Sequence, residues 1–193
     1  NYFGFGSDEA MAESGNYLII KQSPFPLEEP RPDSSSYDPL HPIPCRKILG
    51  GWRQREKAFR PQSIINISAM SFGSLSSAAV EALNRGAALS GCLHNTGEGG
   101  ISPYHRYGGG LIYQLGTGYF GARDADGHFS MERLLETVGS ADVKAIEIKL
   151  SQGAKPGRGG VLPAGKITRE ISEIRGIPMG VDCISPAGHS AFS

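Results

Sequence analysis

Apolar and polar positions along this 193-residue chain change period several times, and each change predicts an element. Residues 63–68 (SIINIS) are a β-branched run that predicts a buried strand. Residues 74–90 follow a helical period: Ser74 or Ser76 supplies the N-cap, and Leu75, Ala79, Ala82, Leu83 and Leu89 mark the apolar face. Residues 92–95 predict a short second strand, leading into TGEGG at 96–100, which favours neither helix nor strand. Residues 101–130 form a long insertion with little helical period. Ser130 caps a helix at 131–138, and 143–150 (VKAIEIKL) predict a third strand. A glycine-rich loop at 151–165 precedes a third helix at 166–175 and a fourth strand at 179–184.

This alternation predicts βα units and a parallel sheet. A doubly wound sheet and a TIM barrel both satisfy it, and the polar residues favour the barrel. Met70 and Ser71 follow the first strand, and Asn95, Thr96 and Glu98 end or follow the second. Lys149, Gln152 and Lys155 end or follow the third, and Asp182 and Ser185 the fourth. A barrel draws on the whole ring of loops at the carboxyl ends of its strands, whereas a doubly wound sheet concentrates its site at one switch point. The predicted fold class is α/β, of the parallel (β/α) TIM-barrel type, with about the first half of the barrel present. The chain begins without Met and stops just after a strand pattern, so it reads as a piece of a longer protein.

Upstream the pattern differs. Ser7 can cap a short helix at 8–13, and 16–20 read as a short strand. Seven of the thirteen prolines fall in residues 21–47, a density that forbids regular helix and sheet interior. This stretch is either a disordered linker or an arm anchored on the domain surface by Phe25, Leu27, Tyr37 and Ile43. The expected division is an N-terminal segment with its Pro-rich arm at 1–47 and a barrel-type domain at 48–193.

Charge narrows the function classes. Lys+Arg and Asp+Glu both number 19, and a net charge of zero argues against a nucleic-acid surface or a polybasic membrane patch. No apolar run approaches the length of a membrane span. Cys45, Cys92 and Cys183 are odd in number, far apart and without CxxC spacing, so neither a disulfide framework nor a zinc site is expected. A reducing, cytoplasmic compartment is the default.

Three residues carry the candidate chemistry. Glu98 is flanked by glycines that let backbone approach a ligand closely. Lys149 shares a strand face with Glu147, opposite Ile146, Ile148 and Leu150. A lysine at the top of a barrel lumen is costly unless it meets an anion or an electron-rich ligand; a plain Glu147–Lys149 pair is the alternative. Lys155, in SQGAKPGRGG, either folds over the site to reach a carboxylate or sits on an exposed loop. Two further patterns imitate nucleotide fingerprints. GTGYFG at 116–121 satisfies GxGxxG, but no amphipathic helix starts there. GVLPAGK at 160–166 imitates a P-loop, but Ile167 stands where a hydroxyl must hold magnesium. The five histidines lack ligand spacing, and His94, beside the glycine loop, is the least ordinary of them.

The stretches ISAMSFGSLS at 67–76, NTGEGG at 95–100 and IKLSQGAKPGRGG at 148–160 closely resemble, in order and spacing, three stretches of the FMN-binding barrel domain of the glutamate synthase family. GTGYFGA at 116–122 and ISPAGHSAFS at 184–193 resemble it more weakly. Residues 1–44 resemble the leading segment of stand-alone glutamate-synthase-like proteins, which lack a glutaminase domain. The resemblance implies FMN at the top of the barrel and reduction of an imine of a 2-oxo acid, such as 2-iminoglutarate, to an amino acid. It implies an oxidoreductase acting on CH-NH2 donors, part of glutamate biosynthesis and nitrogen metabolism, with a protein or subunit as electron donor.

Residue by residue, the resemblance places Ala69, Met70, Ser71 and Lys149 on the flavin. It places Glu98, Tyr119, Gln152 and Lys155 on the substrate side, with Glu98, Lys149 and Lys155 as the catalytic set. It also implies a 3Fe-4S cluster, with cysteines outside this segment. Two positions depart from the family pattern: Tyr119 stands where an arginine for a carboxylate is usual, and Val161 where a glutamine is usual. A subunit forming N-methylglutamate, or a non-catalytic interaction module, are the alternative readings.

Overall fold

The computed structural model describes residues 33–35, 47–152 and 157–189. The chain divides into two compact units, Asn1–Pro39 and Leu40–Ser193. In the first unit, residues 33–35 form a turn. The helix expected at 8–13, the strand at 16–20, nearly all of the Pro-rich arm, Cys45 and Lys155 lie outside the described residues.

The elements of the second unit are α1 (Ser77–Ser90), β1 (His94–Asn95), β2 (Leu111–Leu115), α2 (Met131–Gly139), β3 (Val143–Ile148), β4 (Gly160–Leu162), α3 (Arg169–Arg175) and β5 (Cys183–Ser185). The strands β1, β2 and β3 form a parallel sheet in that order. Ile67 extends it by a parallel bridge to His94 at the free side of β1. A separate antiparallel pair joins β4 to β5. The fold is mixed α/β, and every crossover between the parallel strands leaves its loop at their carboxyl ends.

Caps place the helices. The Ser76 hydroxyl accepts the Ala79 N–H at 3.3 Å, Ser130 does the same for Arg133 at 3.3 Å, and Thr168 for Ile171 at 3.2 Å. The buried residues of α1 are Val80, Asn84 and Ala87, not the expected face: Leu89 is 73% exposed. Asn84 sets that rotation. Its carbonyl oxygen accepts the N–H of Tyr107 at 2.7 Å and of Gly109 at 3.2 Å, so an amide faces inward where an aliphatic residue is the usual choice.

The two sides of the parallel sheet differ. Leu111, Tyr113 and Leu115 join Ile101, Ala122 and Leu134 of α2 in one apolar cluster. Gln114 lies on the other side, opposite Glu147 in register. Ile146 and Ile148, in register with Tyr113 and Leu115, are 49% and 60% exposed, and Leu150 beyond them is 74% exposed. A second apolar cluster gathers Phe72, Val80, Phe120, Leu162, Ile171 and Cys183, which joins α3 and the β4–β5 pair to the start of the chain's parallel part. Among the described residues no helix is long and apolar enough to cross a membrane.

Three expectations are corrected. In 63–68 only Ile67 pairs with the sheet. Ser63 Oγ accepts the Ile65 N–H at 3.0 Å and Asn66 Oδ1 accepts the Leu93 N–H at 2.8 Å, so side chains take bonds that a ladder would use. The fourth strand is not a barrel-type parallel strand. Residues 183–185 pair antiparallel with 160–162, inside what reads as a glycine-rich loop, and Asp182 Oδ1 ties the pair further by accepting the Ala164 N–H at 2.7 Å. The insertion at 101–130 contains β2, whose alternation is hidden because four of its five residues are buried.

Candidate functional site

The loop after β1 brings Glu98 to the carboxyl end of the sheet, and two glycines make its position possible. Gly97 has φ +66°, and a Cβ there would lie 2.7 Å from the Ser71 nitrogen. A Cβ at Gly116, just after β2, would lie 2.5 Å from the Glu98 Cβ. Any larger residue at either place displaces Ser71 or the acid itself.

Lys149 follows β3 and Gln152 follows it by three residues. The Lys149 ammonium donates to Gln152 Oε1 at 2.7 Å and lies 3.3 Å from Glu98 Oε2. Gln152 Nε2 donates to both Glu98 oxygens, at 3.2 and 3.0 Å, and approaches Thr117 Oγ1 at 3.5 Å. The cation on one side and the carboxylate on the other fix which way the Gln152 amide points. Gln152 is buried, while the Lys149 and Glu98 side chains keep 24% and 16% of their surface exposed. The result is a compact acid–amide–ammonium triangle built from loops after β1 and β3, walled by the loop after β2.

Glu147 does not pair with Lys149, which corrects the simpler expectation. Its carboxylate accepts from Asn95 Nδ2 at 2.9 Å and from Gln114 Nε2. Lys149 is thereby left to Glu98 and Gln152. At the start of the parallel part, Ala69 is exposed and Met70 and Ser71 are half-buried. The Met70 N–H donates to the Asn95 carbonyl at 3.2 Å, and Ser71 packs on Gly97, so the 69–71 segment is fastened to the Glu98 loop.

Tyr119 has a left-handed backbone, φ +53°. Its hydroxyl meets His189 Nδ1 at 3.0 Å, and His189 Nε2 meets the Lys149 carbonyl at 2.8 Å. A carbonyl only accepts, so Nε2 carries the proton and Nδ1 accepts from the phenol. Thr117 Oγ1 donates to the Pro186 carbonyl at 2.6 Å. These two bonds tie the segment after β5 to the loop after β2. Sequence reasoning singles out Glu98, Lys149, Gln152 and Tyr119, and it passes over Gln114, Thr117 and His189. The glycines on both sides of Thr117 are the available signal.

His94, which the sequence marks as the least ordinary histidine, is a structural residue. It has no exposed surface, and burial lowers its pKa. Asn84 Nδ2 lies 3.4 Å from its Nδ1, and its ring stands 5.2 Å from that of His105. Burial holds His105 at a pKa of about 4, opposed by a bond to the Met70 carbonyl and assisted by His94. The Ser102 N–H donates to His105 Nδ1 at 3.1 Å, which places the proton on Nε2, 3.3 Å from the Met70 oxygen.

The acid, the amide and the lysine converge at the carboxyl ends of the parallel strands, which is where α/β folds commonly carry their ligand sites. Comparison with known proteins makes this specific. The family described as the conserved region in glutamate synthase matches residues 16–193. A glutamate synthase large subunit-like protein of Bacillus subtilis, YerD, is 42% identical over 156 residues, covering 80% of this chain and 29% of that protein. An archaeal-type glutamate synthase [NADPH] of Dehalococcoides mccartyi is 32% identical, covering 98% of this chain and 37% of that protein. Another of that name from Thermotoga maritima is 44% identical over 126 residues, 65% of this chain and 22% of that protein. This chain belongs to the glutamate synthase family. It spans between about a fifth and two fifths of the length of these relatives.

Proposed function

We propose that this chain forms part of the FMN-binding (β/α) barrel of a glutamate-synthase-like oxidoreductase, which reduces the imine of a 2-oxo acid to an amino acid. The observation that carries the reading is the convergence of Glu98, Gln152 and Lys149 at the carboxyl end of the parallel strands. The apolar residues exposed on one face of β3 support a further element packed on that face, as the outer helices of a barrel would be.

The donor set suits a flavin. Lys149 has three N–H donors, two of which are engaged by Gln152 and Glu98, and its side chain is 24% exposed. A third donor is therefore open to an electron-rich ring edge. Ala69, Met70, Ser71 and Lys149 would hold the group. When bound, FMN supplies a hydride donor and acceptor. The chain's own residues set the stage for that chemistry. The Lys149 charge stabilises negative charge developing beside it. Glu98, fixed by two amide hydrogen bonds and an ammonium, offers its Oε1 lone pairs to an N–H of ammonia or of the iminium, which orients the nitrogen and can take its proton. Lys155 would bind a substrate carboxylate. The Thr117–Pro186 and Tyr119–His189 bonds fasten the segment after β5 to the loop that walls the triangle.

An electron-donating protein or subunit, and a 3Fe-4S cluster whose cysteines come from outside this segment, belong to the same proposal. A direct test uses the full-length protein, loaded with FMN and reduced by dithionite, then mixed with 2-oxoglutarate and ammonium. Reoxidation of the reduced protein with formation of glutamate is expected, and Glu98→Gln should slow it about 100-fold or more. Reoxidation by dioxygen alone, with no dependence on the oxo acid or the nitrogen source, would overturn the proposal.

A further inference from the structure

Beside the triangle lies a cavity of about 630 Å³ that the proposed chemistry does not use. Its size falls within the usual range for small-ligand sites. Thr117 belongs both to its wall and to the triangle, through the 3.5 Å approach of Gln152 Nε2. Tyr119, Phe129, Ile184 and Pro186 supply an aromatic and aliphatic lining.

Among the described residues that line it, Arg123 is the one with a permanent charge. Its guanidinium is poorly engaged. One terminal N–H reaches the Gly118 carbonyl at 3.4 Å, and among the described residues the buried Nε has no hydrogen-bond partner. Among the described residues no carboxylate forms an ion pair with it. Its carbon CZ sits 5.8 Å from the Phe120 ring centre, so the planar group is backed by an aromatic face. Of the other polar side chains that line it, His128 lies 3.9 Å from Asp124 Oδ2, and the two hydroxyls are occupied. The Tyr119 hydroxyl serves His189, and the Thr117 hydroxyl serves Pro186. An arginine with spare donors, in an apolar-walled cavity lacking a lining acid, matches the planar two-oxygen geometry of a carboxylate on an organic stem better than it matches a bare inorganic anion.

We propose that this cavity is a carboxylate subsite, in which Arg123 pairs with the acid group of an organic acid whose stem lies on Phe129, Ile184 and Pro186. The inference rests on the function proposed for the triangle and deepens it: the bound acid is the substrate, and Thr117, which lines the cavity and approaches Gln152, is where the two sites meet. Arg123 then supplies the bidentate contact that Tyr119, engaged with His189, does not make.

The test is a calorimetric titration of the full-length protein with glutarate, and with the uncharged glutaramide and inorganic phosphate as controls. Glutarate should bind at least about 10-fold more tightly than either control, and Arg123→Gln should weaken glutarate about 10-fold or more. Arg123→Lys, which keeps the charge without the fork, should give an intermediate loss, and it answers the question should Arg123→Gln fail to fold. FMN content and the unfolding temperature, measured on the same samples, should not change. Glutarate affinity unaltered by both variants, equal binding of glutarate and glutaramide, or no glutarate binding by the wild type would each overturn the subsite. The two proposals fail separately: a protein without flavin whose glutarate affinity depends on Arg123 sinks the function and keeps the subsite, and a flavoprotein indifferent to Arg123 does the reverse.

Discussion

Two polar clusters sit a few residues apart in this chain and have opposite characters. Asn84, His94, Ser102 and His105 form one, bonded to the Met70 carbonyl. Glu98, Thr117, Lys149 and Gln152 form the other, at the carboxyl end of the strands. All four members of the first have no exposed surface. Its histidines are held neutral by burial, and its bonds go to backbone that must be turned: Tyr107, Gly109 and Met70. The second keeps a lysine and an acid partly exposed and paired with one another, and among the described residues the lysine has two partners for its three donors. Full burial with bonds directed at backbone marks a polar group that shapes the fold, even though His94 Nε2 has no partner among the described residues, whereas a partly exposed charge pair marks one that can act. Proximity of His94 to the glycine loop is therefore a poor guide, and the strand-end position of Lys149 a good one.

The comparison breaks or sharpens at four points. Lys149→Met should have the largest effect. It removes the cation from Glu98 and from the open edge of the site, and turnover of the FMN-loaded protein should fall about 100-fold or more with little change in the urea midpoint. The next is a pH effect on the buried cluster alone. The His105 pKa of about 4 lies below its usual 6.5, so the unfolded chain takes up the proton first as pH falls. Stability from this group is complete above about pH 6.5 and is lost progressively toward pH 4, up to about 3 kcal/mol. Urea unfolding between pH 7 and 4.5 should show that slope, and His105→Gln should flatten it.

Asn84→Ala should cost about 2 kcal/mol in the same unfolding experiment, because the N–H groups of Tyr107 and Gly109 lose their acceptor in a buried place. Its effect on turnover, measured under conditions where the protein stays folded, should be small. Tyr119→Phe should have the smallest effect, about 1 kcal/mol or less, seen as faster amide exchange in the segment after β5. A large loss of turnover from Asn84→Ala, or a large loss of stability from Lys149→Met, would dissolve the distinction between the two clusters.

Much of the site is legible from residue order, and the reasons are physical. Ser76 and Ser130 announce helix starts because a hydroxyl beside free N–H groups is a local property. Period-two alternation puts Glu147 opposite Gln114, on the other side of the sheet from Ile146 and Ile148, as the register shows, while Lys149 follows the end of β3. What alternation does not encode is which partner each takes, since Asn95 and Glu98, Gln114, and Gln152 come from three separate stretches. The strand β2 is hard to read because burial on both faces erases the polar half of the pattern. The antiparallel pairing of β5 with β4 is hidden because a three-residue apolar run reads alike in either direction. Asn84 reverses the expected face of α1 because its inward role depends on backbone more than twenty residues away.

The central claim is that this end of the sheet holds a flavin, with Lys149 as its charged neighbour. The most direct measurement is the absorbance spectrum of the full-length protein, purified without added cofactor and again after incubation with FMN, beside the same spectra of Lys149→Met. Flavin bands are expected in the wild type, and a weakened or shifted flavin spectrum in the variant. A colourless wild-type protein that also fails to take up added FMN would contradict the claim.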